Sequence, residues 1–416
     1  MTQLIFHLGD RKTGSTSIQT TLASGSVHCA GKTLLYPGQG QVNHIPLAKT
    51  LTDDGMANLR KPRFRAVVDE IAEKQPDVTI ISAERFESVD PVLLKRTMML
   101  HMPDYVGTAK FIAYVRPHAD RIVSEYAEQV KQGHAFGSLE QMHQRTLSRD
   151  RFQYTPRFQA WRDTFGDQFT LRPMIRDRLK DRDVVADFLD FALGGAGFEI
   201  RGTPAANESL TLEDLVLLRH LQMRLGERRN GELQSGKAST LQISTGWELA
   251  RRLSRQPAAS STKLRLHASL AAAVVTEYLA DAKALDAAFF DGTPMEDELR
   301  AAPGRAVEVA QSMDLADHYG AESVRLIDVL VGQIEHMLKA DPTIWPKLFR
   351  DSHHLAVTQE EKPARKGGGK KPGGRMGAGK PGGGKKLGGG AGRRRGLQPK
   401  AGLLTEQGSG DPNAVE

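Results

Sequence analysis

The apolar positions of this chain fall into two alternating kinds of pattern. Leu4 to Leu8, Val78 to Ser82 and Ala109 to Val115 are short continuous runs of the length and composition of buried strands, and Gln168 to Met174 is a fourth candidate. Between them, apolar residues recur at spacings of three and four: Phe64, Val67, Val68 and Ile71; Val92, Leu93, Thr97 and Leu100; Ile122, Val123 and Tyr126; Val185, Phe188, Leu189 and Ala192. These predict amphipathic helices. Strand and helix in alternation predict an α/β fold, a parallel sheet flanked by helices, with Lys32 to Pro37 as a further short extended piece. In such sheets ligands bind at the carboxyl ends of the strands, where Gly9, Glu84 and Arg116 are expected to fall.

From residue 207 the alternation gives way to helical stripes. Thr211 to Asp214 reads as a capping box ahead of Leu212, Leu215, Leu218, Leu221 and Leu225, and Ser269 to Phe290 and Glu322 to Leu338 are also expected as helices. Glu227 to Ser261, polar and poor in large apolar residues before Leu241, is expected as a mobile loop or an excursion over the site. The predicted organisation is therefore one domain over 1–357, with an α/β core over 1–206 and a mostly helical part over 207–357, followed by a tail over 358–416.

Charge changes the picture only at that tail. Residues 362–400 hold 13 Lys or Arg and no acid, and three acids follow, leaving residues 1–361 with 44 basic against 47 acidic side chains. The glycine-rich, cationic tail cannot bury enough apolar surface to offset chain entropy and is expected to be disordered. A contact with a polyanion is one expectation for it, a solvated extension the other. Cys29 is the only cysteine, so no intrachain disulfide can form. No apolar run approaches the roughly 20 residues of a transmembrane segment, and a cytoplasmic protein is expected.

Candidate chemistry concentrates in two stretches. In Gly9-Asp10-Arg11-Lys12-Thr13-Gly14-Ser15-Thr16, a strand, a glycine turn and a helix start make an anion site, because unpaired N–H groups and the positive helix end converge there. Gly9 and Gly14 keep the spacing of a nucleotide-triphosphate loop, but Ser15 stands where its lysine should be. Lys12, inside the turn, is its only lysine. A plain glycine turn with a solvated lysine is the other reading. In the second stretch, Arg116 leaves a strand and Ser124 follows eight residues later, so that both can close on one phosphate.

Lys12-Thr13-Gly14-Ser15-Thr16 resembles the 5′-phosphosulfate loop of sulfotransferases that use 3′-phosphoadenosine 5′-phosphosulfate (PAPS), and Arg116 with Ser124 resembles their 3′-phosphate motif. Ser82-Ala83-Glu84, the segments Arg172 to Met174 and Val184 to Leu189, and Asn207 to Leu210 are similar to parts of bacterial carbohydrate-type members, so the likeness covers residues 4–210. It implies a P-loop-like fold, PAPS as sulfuryl donor without a metal, and a hydroxyl acceptor, a carbohydrate or glycan. Arg11, Lys12, Thr13, Gly14, Ser15, Thr16, Arg116 and Ser124 would bind the nucleotide. Lys12 would bear leaving-group charge, and Glu84 or, as its rival, His44 would serve as base. Asp10-Arg11 departs from the family pattern, and a carboxylate beside an anion site is costly unless Asp10 turns outward or pairs with Arg11. Two other classes stay open, a P-loop-like kinase and a nucleic-acid or polyanion-binding protein acting through its tail.

Overall fold

The central strands of the main sheet are short, mostly apolar runs buried on both faces, the signature of parallel pairing. The computed structural model describes residues 2–29, 31–201, 210–226, 228–229, 232–233, 238–256 and 262–341. In chain order, β1 (Gln3–His7) leads to α1 (Ser15–Ala23), β2 (Val27–Cys29), β3 (Leu34–Leu35), α2 (Ile45–Thr52) and α3 (Arg60–Lys74). Next come β4 (Val78–Ser82), α4 (Pro91–His101), β5 (Lys110–Val115), α5 (His118–Gln132), α6 (Leu139–Leu147) and α7 (Thr155–Phe165). The series continues through β6 (Phe169–Pro173), α8 (Val184–Leu193) and β7 (Phe198–Ile200) to the helices α9 (Leu212–Leu225), α10 (Thr240–Arg255), α11 (Ala268–Phe289), α12 (Pro294–Ala301) and α13 (Ala321–Ala340).

The main sheet runs β3-β4-β1-β5-β6, all parallel, as the alternating pattern predicts. The register sets Phe6 beside Ile81 and Phe111, and His7 beside Ser82 and Ile112. Successive side chains point to opposite faces. Leu4, Phe6, Phe111 and Ala113 join the core shared with α3, α4 and α7, while Ile5, Ile80, Ile112 and Tyr114 pack against α1 and α8. The chain crosses from β4 over β1 to β5, and this crossing opens the crevice in which such sheets bind ligands. β2 and β7 form a separate antiparallel pair.

One local expectation is corrected. Residues 240–255, expected within a loop, are helix α10, started by a Ser239/Gln242 capping box. Its buried residues are Gln242, Thr245, Gly246 and Glu248, so the inward face is polar and carries no apolar period to be read. At the start of α1 the N-cap is Gly14, with no side-chain capping bond. Asn207 to Ser209, His353-His354 and the basic tail lie outside the described residues. None of the described helices is long and apolar enough to cross a membrane.

Candidate active site

Gly9, Glu84 and Arg116 stand just past the carboxyl ends of β1, β4 and β5. At Gly9 (φ +48°) a Cβ would lie 3.1 Å from the Glu84 Cα, so the bare glycine lets the turn lie directly against the chain that carries Glu84. At Gly14 (φ +80°) a Cβ would come within 2.6 Å of Val184 Cγ1, which seats the start of α1 on α8. Lys12 also has a positive φ, 66°, a conformation that costs an ordinary residue about 1–2 kcal/mol.

The hydroxyls of Thr13 and Ser15 are buried and both donate to the Asp10 carbonyl oxygen, at 2.6 and 3.2 Å. They fasten the turn across its base. Thr16 is exposed at the first turn of α1, whose N-cap Gly14 makes no side-chain capping bond. The Arg116 Nη1 donates to the Lys12 carbonyl oxygen at 3.1 Å and to Ser124 Oγ at 3.3 Å. The two stretches singled out in the sequence thus meet in one cleft. Arg11 is half-exposed, 3.8 Å from Glu87.

Asp10 neither turns outward nor pairs with the Arg11 side chain. Only its backbone neighbour, the Arg11 N–H, donates to Oδ1, at 2.9 Å. The carboxylate is 2% exposed and bonds Arg157 of α7 at 2.9 Å, with Arg121 of α5 at 3.9 Å. Glu87, Glu125 and Arg151 complete a cluster of three acids and three arginines. Burial alone would raise the Asp10 pKa, but Arg157 and Arg121 hold it below the ordinary carboxylate range. Glu87 is raised, first by burial and then by Asp10 beside it. The sequence reading missed Arg157 because it lies 147 positions from Asp10.

Glu84 is partly buried and forms no ion pair among the described residues; Arg85 turns instead to Thr52 Oγ1 at 3.1 Å. Burial raises the Glu84 pKa against the pull of Arg11 and Lys12. His44 is built differently. Its Nδ1 accepts the Ser82 N–H at 3.0 Å, its Nε2 lies 2.9 Å from the Pro37 carbonyl oxygen, and its ring packs edge-on against Tyr36. Burial lowers its pKa. Both ring nitrogens are committed to the main chain, so His44 ties the ends of β3 and β4 together. His7, wholly buried against Phe188, is driven to a pKa of about 3 by desolvation and pairs with Ser82 Oγ at 2.8 Å.

Lys12 reaches away from the turn to Glu128 Oε2 on α5, 3.1 Å away. Glu128 also takes Lys131, Gln132 and the indole N–H of Trp247 on α10. Burial would raise the Glu128 pKa, yet Lys12 and Lys131 bring it down to about 2. Glu128 follows Ser124 by four residues on one helical face, a spacing that could have drawn attention to it. No cluster of His, Cys, Asp or Glu suited to a metal ion occurs among the described residues.

The class that the fold defines is an α/β protein with a glycine turn at the carboxyl edge of a parallel sheet. Neither a protein-family model nor a curated protein matches the sequence. Among solved structures, the chain is similar to a sulfotransferase from Alicyclobacillus acidocaldarius, at 16% identity and a TM-score of 0.33, over 54% of this chain and 93% of that one.

Proposed function

We propose that this protein is a sulfotransferase that moves a sulfuryl group from PAPS to a hydroxyl of a carbohydrate. The observation that carries the reading is the Arg116 guanidinium, bonded at once to the Lys12 turn and to Ser124. Two anion-binding clusters so joined suit a nucleotide phosphorylated at both ends. The uncapped first turn of α1 and the free face of Thr16 fit its 5′ side, and Arg116 with Ser124 fits its 3′ side.

PAPS supplies an activated sulfur, and the rest falls to this chain. As the acceptor oxygen bonds to sulfur, the bond from sulfur to the 5′-phosphate oxygen breaks and negative charge collects on that oxygen. The N–H groups of Gly14 to Thr16 bear it, joined by Lys12 when its ammonium leaves Glu128. Glu84, unpaired and with a raised pKa, receives the acceptor proton. His44, with both nitrogens occupied, is left to tie the ends of β3 and β4 together.

The test is thermal stabilisation by adenosine 3′,5′-bisphosphate compared with ATP and magnesium. A ligand at about 100 times its Kd adds roughly 2.7 kcal/mol to the native state. Stabilisation by the bisphosphate alone is expected. Stabilisation by ATP alone, with turnover, would replace this reading with a kinase. A protein indifferent to both that binds nucleic acid only while residues 362–416 are present would be a tail-driven polyanion binder.

A further inference from the structure

Helix α5 presents Ser124 and Glu128 one turn apart, and both bear on Lys12, the first on its carbonyl through Arg116 and the second on its ammonium. Ser124 holds Arg116, while Glu128 holds the Lys12 ammonium. An ammonium on a flexible four-carbon stem can serve one anion at a time at close range, and the turn that carries it is built to receive another. Glu128 is also well provided without it. If Lys12 swings away, Lys131, Gln132 and the Trp247 indole still donate to the carboxylate, so the exchange strands no buried charge. Trp247 is held in place from behind. Gln222 of α9 donates to the carbonyl oxygens of both Lys131 and Gln242, at 2.7 and 2.8 Å, clamping α10 on α5.

We propose that Glu128 is a positioning residue, a counterion that parks Lys12 before the donor binds and yields it when the donor arrives, with Trp247 sensing the exchange from α10. The inference rests on the PAPS reading in naming the donor, and it adds a regulation of that site. Glu128 competes with the donor for Lys12 and thereby weakens donor binding. It also ties occupancy of the turn to α10, whose Trp247 ring is 51% exposed.

The experiment measures the affinity of the full chain and its Glu128→Gln variant for adenosine 3′,5′-bisphosphate and for inorganic pyrophosphate. Removing the counterion should tighten both by roughly 5- to 30-fold, the equivalent of one or two kcal/mol. Loss of a merely structural contact would loosen them. Tryptophan fluorescence should change on saturation in the wild type and not in Trp247→Phe. Unchanged or weaker binding of both ligands by a folded Glu128→Gln protein overturns the inference. Tighter pyrophosphate with no bisphosphate binding in either protein upholds the counterion and overturns the PAPS reading instead. Should Glu128→Gln fail to fold, Glu128→Asp decides, because a carboxylate drawn back by one methylene should give intermediate tightening, and an affinity at or below the wild type refutes the idea.

Discussion

Replacing Asp10 by asparagine tests what holds the glycine turn after β1 in shape. The change keeps an acceptor for the Arg11 N–H but removes one of the three negative charges facing Arg121, Arg151 and Arg157. Asp10 and Arg121 are 2% and 1% exposed, so water cannot make up the difference. Breaking a buried pair from one side costs about 3–5 kcal/mol. At about 2–4 °C per kcal/mol for a domain of a few hundred residues, the melting temperature should fall by about 6–20 °C. The partner change Arg157→Gln should be nearly as costly. The double variant should lose less than the two together, by about 0.5–3 kcal/mol, since each removes what the other left unpaired. The advantage over Asp10→Asn also has a sign in pH. The Asp10 pKa is depressed in the folded protein, so its contribution is fully present above the unfolded value of about 3.9 and is lost as pH falls through the folded one. Denaturation followed by circular dichroism at several pH values reads all of this. A single variant within about 2 °C of the wild type, or strictly additive losses, would refute the cluster as the support of the turn.

Gly14→Ala should cost about 2–5 kcal/mol, combining left-handed strain with overlap on Val184, and should abolish bisphosphate binding in the same melting assay. His44→Ala should lower the melting temperature through two lost main-chain bonds, about 1–3 kcal/mol, while bisphosphate binding survives. Glu84→Gln should do the reverse, leaving stability near or slightly above the wild type and cutting sulfuryl transfer by about 10²–10⁴-fold. Because burial raises the Glu84 pKa and the ionised form is the base, transfer should rise with pH through that raised value, and the glutamine variant should lose this limb. Deleting residues 362–416 should raise the apparent KM for a polyanionic acceptor at low salt; an unchanged KM would end any role for the tail in recruiting it.

The elements with a strong local period were legible. Val78–Ser82 and Val184–Leu193 fall where the pattern predicts them, and so does the Thr211 capping box. Pro91–His101 is the expected helix, but it buries Pro91, Leu94, Thr97 and Met98 and leaves Val92 and Leu100 exposed. Helix α10 escaped because its buried face is Gln242, Thr245, Gly246 and Glu248, positions that leave no apolar period to be read. Helix α2 escaped behind a proline, although Pro46 stands in the first turn, where its missing N–H costs nothing.

By itself the sequence determined the strand, glycine turn and helix at residues 3–23 and the arginine and serine eight residues apart, since turn geometry and helical period depend on neighbours in the chain. Only tertiary structure decided that Asp10 answers to Arg157, that His44 is spent on main-chain oxygen and nitrogen, and that Lys12 lies on a carboxylate watched by Trp247. Apart from His44 with Pro37, seven positions away, those pairings join residues 38 to 147 positions apart. Charge and hydrogen bonding act through space, and no local pattern records which distant side chain the fold will bring within 3 Å.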